Sequence, residues 1–383
     1  MDEKGIWQLL TEILYASLNE TEAASTVAER LTPEALAPVC RLARKHDLLH
    51  VVAAFVQNHK IRADAKLSEG LRRALMTSVY RCQQMKHAFA EICDALDGAG
   101  IPHIPLKGSV IRPYYPYESM RTSCDIDILI HREDLEGAVK VLTDKGYRCE
   151  KEQFHDVSLY SPGGIHLELH FHLKEGVNSM DAVLKDAWDY AVPTTGSRYG
   201  FRESFFVFHM YAHMAYHFVS GGCGIRSLMD IWVMEQKMGL SHTCAKELLT
   251  RAGLYDFARG MSRVANRCFT ENVTDDFTEL ALKYIYAGGV YGSKENTVAV
   301  KKSQNKSSFV YVLRRMFLPY RTMVFGYPIL KKAPFLLPFC WVVRWVRAIF
   351  GKSKKISHEI NCVNNMSEQR IDEVKEICRQ LGL

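Results

Sequence analysis

Acidic side chains alternate with isoleucines in the segment Asp125-Ile126-Asp127-Ile128-Leu129-Ile130. This alternation predicts a β-strand, whose period of two places Asp125 and Asp127 on one face, away from the isoleucines. Two neighbouring carboxylates repel each other unless a cation lies between them. Because Mg²⁺ prefers oxygen ligands, the segment predicts a site for Mg²⁺, with Mn²⁺ as the alternative ion.

A second alternating segment, residues 165–173, places four polar side chains on a common face: His166, Glu168, His170 and His172. If the two strands are neighbours, Glu168 joins the aspartates as a third acid. Asp125, Asp127 and Glu168 are therefore the predicted catalytic and metal-binding residues. We expect His170 to contact these ligands without itself binding the metal.

The tripeptide Lys107-Gly108-Ser109 predicts a turn that opens a helix. The free N–H groups of such a turn can hold a phosphate. Lys107 or Arg121 would neutralise the charge that develops during transfer. Lys107, Gly108, Ser109 and Arg121 are therefore the predicted nucleotide-binding residues, and the assembled chemistry is nucleotidyl transfer.

Several short motifs together resemble the uncharacterised nucleotidyltransferase family, which is part of the DNA polymerase beta-like superfamily. The motifs are Leu106-Lys107-Gly108, Tyr114-Tyr115-Pro116, Arg121, Asp125-Ile126-Asp127 and Glu168-Leu169-His170. The resemblance implies that the Gly-Ser turn holds the triphosphate, that Asp125 and Asp127 hold two Mg²⁺, and that Glu168 activates the acceptor. The gap from Gly108 to Asp125 is longer than in the minimal members of the superfamily, a departure that bears on the expected contact between Ser109 and phosphate.

The predicted fold is α+β, with a small mixed β-sheet nucleotidyltransferase core embedded between helical regions. We expect five regions: an N-terminal helical region, 1–85; a catalytic domain, 86–195; a helical domain capping the cleft, 196–300; a basic aromatic segment, 301–358; and a C-terminal helix, 359–383. Prolines at 102 and 105 keep residues 101–106 away from the centre of the sheet. Residues 154–160 and 165–173 are expected to pair as a hairpin.

His209, His213 and His217 follow one another at intervals of four, along one face of a predicted helix. The three span about 12 Å, which is too far for one metal ion. We expect a structural or substrate-facing role, with His213 nearest the site. Arg226 and Asp230 match a recurring pattern of the resembled family, in which this helix caps the cleft; the alternative is a simple ion pair one turn apart.

Charge is distributed unevenly along the chain. Residues 301–357 contain 13 Lys and Arg and no Asp or Glu, and the remainder carries 36 basic and 43 acidic residues, a net charge of −7. The longest uncharged apolar run, residues 333–343, is too short to cross a bilayer, which needs about twenty residues. The segment predicts peripheral contact with an anionic membrane, with RNA binding or simple packing as alternatives.

Eleven cysteines without a CxxC motif indicate free thiols and a reducing compartment. The N-terminus, Met1-Asp2-Glu3-Lys4, lacks the features of a signal peptide. We therefore expect a cytoplasmic protein, or one peripherally bound to a membrane.

The predicted function is Mg²⁺-dependent transfer of a nucleoside monophosphate from an NTP, such as ATP, to an acceptor hydroxyl or phosphate. Small molecules, proteins and tRNA all occur as acceptors in the superfamily, and the motif spacing also resembles tRNA-modifying nucleotidyltransferase toxins. A catalytically weak nucleotide-binding or assembly protein at a membrane surface is the alternative. A zinc hydrolase using four histidines remains open as well: His155, His166, His170 and His172.

Overall fold

Helices surround one small mixed sheet in the computed structural model, which describes residues 2–20, 23–152, 155–290, 292–304, 317–350 and 368–383. The strands are β1 His103–Pro105, β2 Asp125–Ile130, β3 Arg148–Glu152, β4 Asp156–Tyr160, β5 His166–His170, β6 Ala191–Pro193 and β7 Tyr199–Phe201. The predicted α+β class is confirmed.

The α-helices lie before, within and after this sheet. They are α1 Glu3–Asn19, α2 Ala23–Arg30, α3 Pro33–Lys45, α4 Leu49–Asn58, α5 Ala65–Gly98, α6 Gly108–Ile111, α7 Leu135–Asp144, α8 Asn178–Leu184, α9 Glu203–Ser220, α10 Ile225–Gln236, α11 Lys246–Arg251, α12 Tyr255–Asn266, α13 Asp276–Gly288, α14 Lys294–Gln304, α15 Tyr320–Gly326, α16 Leu337–Phe350 and α17 Glu368–Gln380.

The five strands of the main sheet lie in the order β1-β2-β5-β4-β3. Strand β2 is parallel to β5, with Asp127 opposite Glu168, and the other pairs are antiparallel. Strand β1 forms an edge, as its prolines require. The expected hairpin of β4 and β5 is confirmed, although Phe154 lies outside the described residues.

One face of the sheet is apolar and packs against two helices. Ile126, Ile128 and Ile130 join the buried cluster formed with the C-terminal half of α5 and with α7. Leu167 and Leu169 of β5 belong to the same cluster. The polar residues of both strands therefore face the opposite side, which positions the site.

A second core joins the N-terminal helices to the helices after the sheet. It contains residues of α1, α3 and α4 together with residues of α9, α10, α12 and α13. Helix α5 spans positions 85 and 86, where the sequence placed a domain boundary. The division into five regions stays a prediction.

The last part of the chain is described only in pieces. Helices α15 and α16 enclose a small separate cluster of Met323, Leu330 and Cys340. The C-terminal helix buries Val374, Ile377 and Cys378, while residues 359–367 of the predicted helix lie outside the described ranges. In the part of the chain that the structure covers, no helix combines the length and the apolar character that a membrane span requires.

His46 is a buried polar link between three helices. Its Nε2 atom lies 3.1 Å from the carbonyl oxygen of Tyr286 at the end of α13, and its Nδ1 atom accepts from the N–H of Ile225 at 3.4 Å. These partners suit the neutral ring with the proton on Nε2. Burial lowers the pKa of His46 from 6.5 to about 4.

We expect the free energy of unfolding to decrease as the pH falls from about 6.5 to about 4. In this window the unfolded chain binds a proton at His46 that the folded chain does not bind. His46→Gln keeps one donor and one acceptor but does not titrate, so it should reduce the slope by up to about 1.4 kcal/mol per pH unit. Urea denaturation at a series of pH values measures this slope, and an unchanged slope would contradict the assignment.

Candidate active site

A cavity of about 310 Å³ opens on the polar face of the sheet. Strand residues Asp125, Asp127 and Glu168 form one wall, and the turn of Lys107, Gly108 and Ser109 forms another. Helices α9 and α10 close the cavity with Met210, His213, Met214, His217, Arg226, Ser227, Asp230 and Ile231. The structure thus brings the residues predicted from two strands, a turn and two helices to one cavity.

The three predicted acids form two overlapping groups with neighbouring histidines. Asp125, His166 and Glu168 offer ligand atoms that lie within 4.8 Å of one another, and so do Asp127, Glu168 and His170. Glu168 belongs to both groups because the parallel pairing of β2 and β5 places it beside Asp127. Either group could hold a metal ion.

Asp127 is buried between two cationic side chains. Lys107 Nζ lies 3.2 Å and His170 Nε2 3.0 Å from Asp127 Oδ1. Burial raises the pKa of Asp127, but the attraction of Lys107 and the hydrogen bond from His170 outweigh it and hold the pKa far below its usual range. Burial lowers the pKa of His170, yet its hydrogen bonds to Asp127 and Glu168 raise it to about 9.

Asp125 is in a different electrostatic environment. Burial, followed by repulsion from Asp127 and Glu168, raises the pKa of Asp125. The pKa of Glu168 is lowered, mainly by its hydrogen bond from His170. The excess negative charge at Asp125 is what a divalent cation would relieve, and the carboxylate oxygens fit Mg²⁺ or Mn²⁺.

The Gly-Ser turn differs from the predicted phosphate cradle. Helix α6 has four residues, and the N–H groups of Ser109 and Val110 already donate to the carbonyl oxygens of Leu106 and Lys107. The expectation of free N–H groups at these two positions is therefore wrong. The polar side-chain groups of the turn on this wall are the ammonium of Lys107 and the hydroxyl of Ser109.

Lys107 adopts an unusual backbone conformation. Its φ of 41° lies in the left-handed region, which non-glycine residues seldom adopt. Such strain costs of the order of 1–3 kcal/mol and persists only where neighbouring structure enforces it. The N–H of Leu106 donates to the carbonyl oxygen of Asp127, which ties the turn to β2 and aims Lys107 at its carboxylate.

The guanidinium of Arg121 is paired with the carboxylate of Asp230. Its Nε and Nη2 atoms lie 3.2 and 2.9 Å from the two carboxylate oxygens of Asp230, and Tyr115 Oη donates to Asp230 Oδ1 at 2.7 Å. Burial lowers the pKa of Arg121, but the attraction of Asp230 outweighs this effect and raises the pKa above its usual value, so the guanidinium stays charged. Arg121 borders the cavity, but its guanidinium is already paired with a carboxylate.

The alternative of an ion pair between Arg226 and Asp230, one turn apart, is wrong. Arg226 Nη1 donates to the carbonyl oxygen of Thr122 at 2.9 Å and lies 3.6 Å from Asp47 Oδ2. Asp230 turns towards Arg121 instead. Both residues hold the segment before β2 against α10, which a local pattern does not reveal.

The histidines of α9 differ in their surroundings. His213 lines the cavity, and its Nδ1 atom lies 3.0 Å from Glu175 Oε1. Burial lowers the pKa of His209 to about 3 and that of His217 to about 4. Burial raises the pKa of Glu175. His213 faces the site, as the sequence predicts, and the groups of described residues that could hold a metal exclude all three histidines.

The histidines proposed for a zinc hydrolase do not meet as one set. His155, Asp156 and His170 form a third group that could hold a metal, while His166 belongs to the group of Asp125. His172 is exposed and belongs to none of the groups found among the described residues. The structure therefore does not bring the four histidines together into one metal-binding group.

Sequence reasoning missed several residues of the site. His166 was counted only for the zinc alternative, although its ring nitrogen lies 3.9 Å from Glu168 Oε1. Glu175 follows β5 and meets His213 on α9, 38 residues away. His217 lines the cavity, although the sequence predicted only that it shares a helix face with His213. The alternation of 165–173 was the available signal for His166, whereas no local pattern marks Glu175.

A model of a family described as an uncharacterised nucleotidyltransferase matches residues 33–270, more than half of the chain. The matched range includes every residue predicted to bind metal or nucleotide. No curated protein is similar enough to count as a match.

Gly108→Ala should lower the free energy of unfolding by about 1–3 kcal/mol, as overpacking does. A Cβ at this position would overlap Nη1 of Arg121. The guanidinium cannot easily move away, because its Nη2 atom is paired with Asp230. Alanine is otherwise the better helix former, so the cost must come from this contact. Chemical denaturation measures the change.

The matched comparison is Gly108→Ala in an Arg121→Met background. Removal of the guanidinium should reduce the cost of the alanine substantially. An equal cost in both backgrounds would show that Arg121 is not the side chain that excludes a larger residue.

Proposed function

The chain belongs to the uncharacterised nucleotidyltransferase family, and we propose that it transfers a nucleoside monophosphate from an NTP to a hydroxyl or phosphate oxygen of an acceptor. The observation that carries this proposal is the alignment of Asp127 with Glu168 on adjacent parallel strands, with Asp125 on the same face. The opposite face of the sheet is filled by isoleucines, so these acids serve no packing purpose.

Asp125, Asp127 and Glu168 would hold Mg²⁺ or Mn²⁺. When bound, such an ion stabilises the charge on the attacking and leaving oxygens. All three carboxylates are present, which argues against the alternative of a catalytically weak nucleotide-binding protein.

The proposed reaction forms one bond and breaks one. An acceptor oxygen attacks the α-phosphorus, and the bond from that phosphorus to the oxygen bridging the β-phosphate breaks. Pyrophosphate leaves with the bonding electron pair. Where the acceptor is a hydroxyl, Glu168 takes its proton. The hydrogen bond from His170 lowers the pKa of Glu168, so the carboxylate is ionised before the transfer begins.

Lys107 is the cation best placed to meet the phosphates. Its pKa is raised because Asp127 and Glu175 outweigh the effect of burial, so the ammonium keeps its charge within the site. Ser109 adds a hydroxyl on the same wall. Arg121 contributes by fixing the turn and Asp230 by holding Arg121, so we assign both a positioning role.

Asp125→Asn and Asp127→Asn should each lower the rate of nucleotidyl transfer by at least about a hundredfold. The assay incubates the protein with each labelled NTP, Mg²⁺ or Mn²⁺ and a cell extract, and then identifies the labelled product. Glu168→Gln should lower the rate more than the NTP affinity, because its task concerns the acceptor.

Asp144→Asn is the matched control, since Asp144 is exposed at the end of α7 and pairs with Lys140. Full turnover of both aspartate variants at saturating NTP and metal would refute the assignment. Stoichiometric zinc in the purified protein would favour the hydrolase alternative instead.

The basic aromatic segment supports a second proposal, peripheral contact with an anionic membrane. Phe335, Phe339, Val342 and Val346 recur at intervals of four, three and four and are 79%, 65%, 48% and 47% exposed. This spacing places them on one face in and just before α16, while Trp341 on another face donates to the carbonyl oxygen of Leu318.

Cations flank this apolar face. Lys331, Lys332 and Arg347 are exposed, and residues 301–357 contain no acid. An amphipathic helix of this kind buries its rings at the acyl boundary, and each nearby cation adds about 1 kcal/mol on an anionic leaflet. Residues 305–316 and 351–367 of the predicted segment and its boundary lie outside the described ranges.

Phe335→Asp combined with Phe339→Asp should abolish co-sedimentation with vesicles of phosphatidylserine and phosphatidylcholine at high salt. The matched control is Met76→Asp with Tyr80→Asp, an equally exposed apolar pair on α5. Failure of the unaltered protein to sediment with these vesicles at low salt would end the membrane proposal. A salt-sensitive shift of tRNA would then favour RNA.

A further inference from the structure

A second cavity, of about 510 Å³, adjoins the candidate active site. The two cavities share Ser123 and Cys124, the residues that immediately precede Asp125 in the chain. The second cavity, here called the arginine groove, lies between the end of α3, the start of α4 and the middle of α5. The arginine groove therefore lies directly beside the cavity that contains the predicted metal ligands.

Positive charge predominates among the side chains of the arginine groove. Arg44 comes from α3, and Arg73 and Arg81 come from α5, while Asp47 is the acid on the same lining. Asp47 Oδ2 already accepts from Thr122 Oγ1 at 2.6 Å and lies 3.6 Å from Arg226. Its charge is thus partly compensated from outside the groove.

The arginines are placed along the groove rather than at one point. Arg73 and Arg81 lie eight residues apart on α5, or about 12 Å. Arg81 Nη2 donates to the carbonyl oxygen of Cys124 at 3.3 Å, so it stands at the junction with the active site. Arg73 lies 3.5 Å from Glu69, but both side chains are largely exposed and such a pair is weak.

Two further features indicate an extended ligand. Thr77, Thr122 and Ser123 also line the groove. Thr122 Oγ1 donates to Asp47, and Ser123 Oγ accepts from Arg112 at 2.6 Å. Beside it on α5, Met76 and Tyr80 are 62% and 66% exposed. Arginine binds phosphate oxygens through paired N–H groups, and an exposed aromatic ring can stack on a planar base.

We propose that the arginine groove binds phosphate groups of the acceptor and directs its reacting oxygen past Ser123 and Cys124 to the metal site. This inference rests on the proposed nucleotidyl transfer and adds the chemical class of the acceptor, a phosphate-bearing molecule. The phosphates bound in the groove serve only for binding and are not chemically changed. The bonds that form and break are those of the transfer already described.

The test measures binding of a short fluorescein-labelled single-stranded RNA to the full chain by fluorescence anisotropy. Arg44→Glu combined with Arg73→Glu should weaken binding by about tenfold or more and reduce its dependence on salt. Arg72→Glu is the matched control, because Arg72 neighbours Arg73 and also pairs with Glu69 but does not line the groove. It should change binding by less than about twofold.

An unlabelled phosphate monoester distinguishes the two sources of such a ligand. Full competition at the groove would indicate a small phosphorylated acceptor, and competition by RNA alone would indicate a polynucleotide. If no phosphate-bearing probe binds, or if Arg72→Glu weakens binding as much as the double substitution of Arg44 and Arg73, the proposal is overturned.

Asp127→Asn separates this proposal from the proposed activity. It should abolish transfer from labelled NTP and leave binding of the RNA probe unchanged. If the unaltered protein binds the probe but transfers no label in any extract, the nucleotidyltransferase proposal is refuted. The assignment of the groove ligand as an acceptor is then refuted with it. Loss of probe binding in the Asp127 variant would place the probe in the metal site and overturn the groove assignment.

Discussion

The parallel pairing of β2 with β5 is the contact on which the candidate site depends. It aligns Asp127 with Glu168, and a slip by one residue would exchange the acids for buried leucines and isoleucines. The apolar cluster beneath the sheet prevents that slip, because Ile126, Ile128, Leu167 and Leu169 are all buried in it. The hydrophobic core therefore specifies the register, and the register assembles the carboxylates.

The neighbouring charges make the two aspartates chemically unequal. Asp127 has the cationic side chains of Lys107 and His170 as close partners. Asp125 is partly buried, and its main electrostatic neighbours are the other two acids, Asp127 and Glu168. A cation that binds at Asp125 must compete with a proton, so metal affinity should rise with pH until that carboxyl is ionised. The charge at Asp127 is already balanced, which allows this carboxylate to be buried without a metal.

Local sequence patterns predicted β2, β4 and β5 and the face of each acid, because alternation with isoleucine and leucine is a short-range property. They also placed His213 towards the site. They did not predict β3, β6 or β7. They could not predict that Asp230 would pair with Arg121, since 109 residues separate the two and Arg226 is the nearer partner in sequence. The prediction that the N–H groups of the Gly-Ser turn are free failed for a local reason, because Ser109 and Val110 donate to carbonyl oxygens three residues earlier in the chain.

Helix α5 connects the two cores of the molecule as one continuous helix. Its 34 residues extend about 51 Å; Leu71 belongs to the helical core, and Ile92 and Leu96 belong to the core beneath the sheet. It contains no proline, and prolines are a common cause of helix kinks. A rotation of the helical core relative to the sheet would therefore require this helix to bend or to lose its packing against one of the two cores.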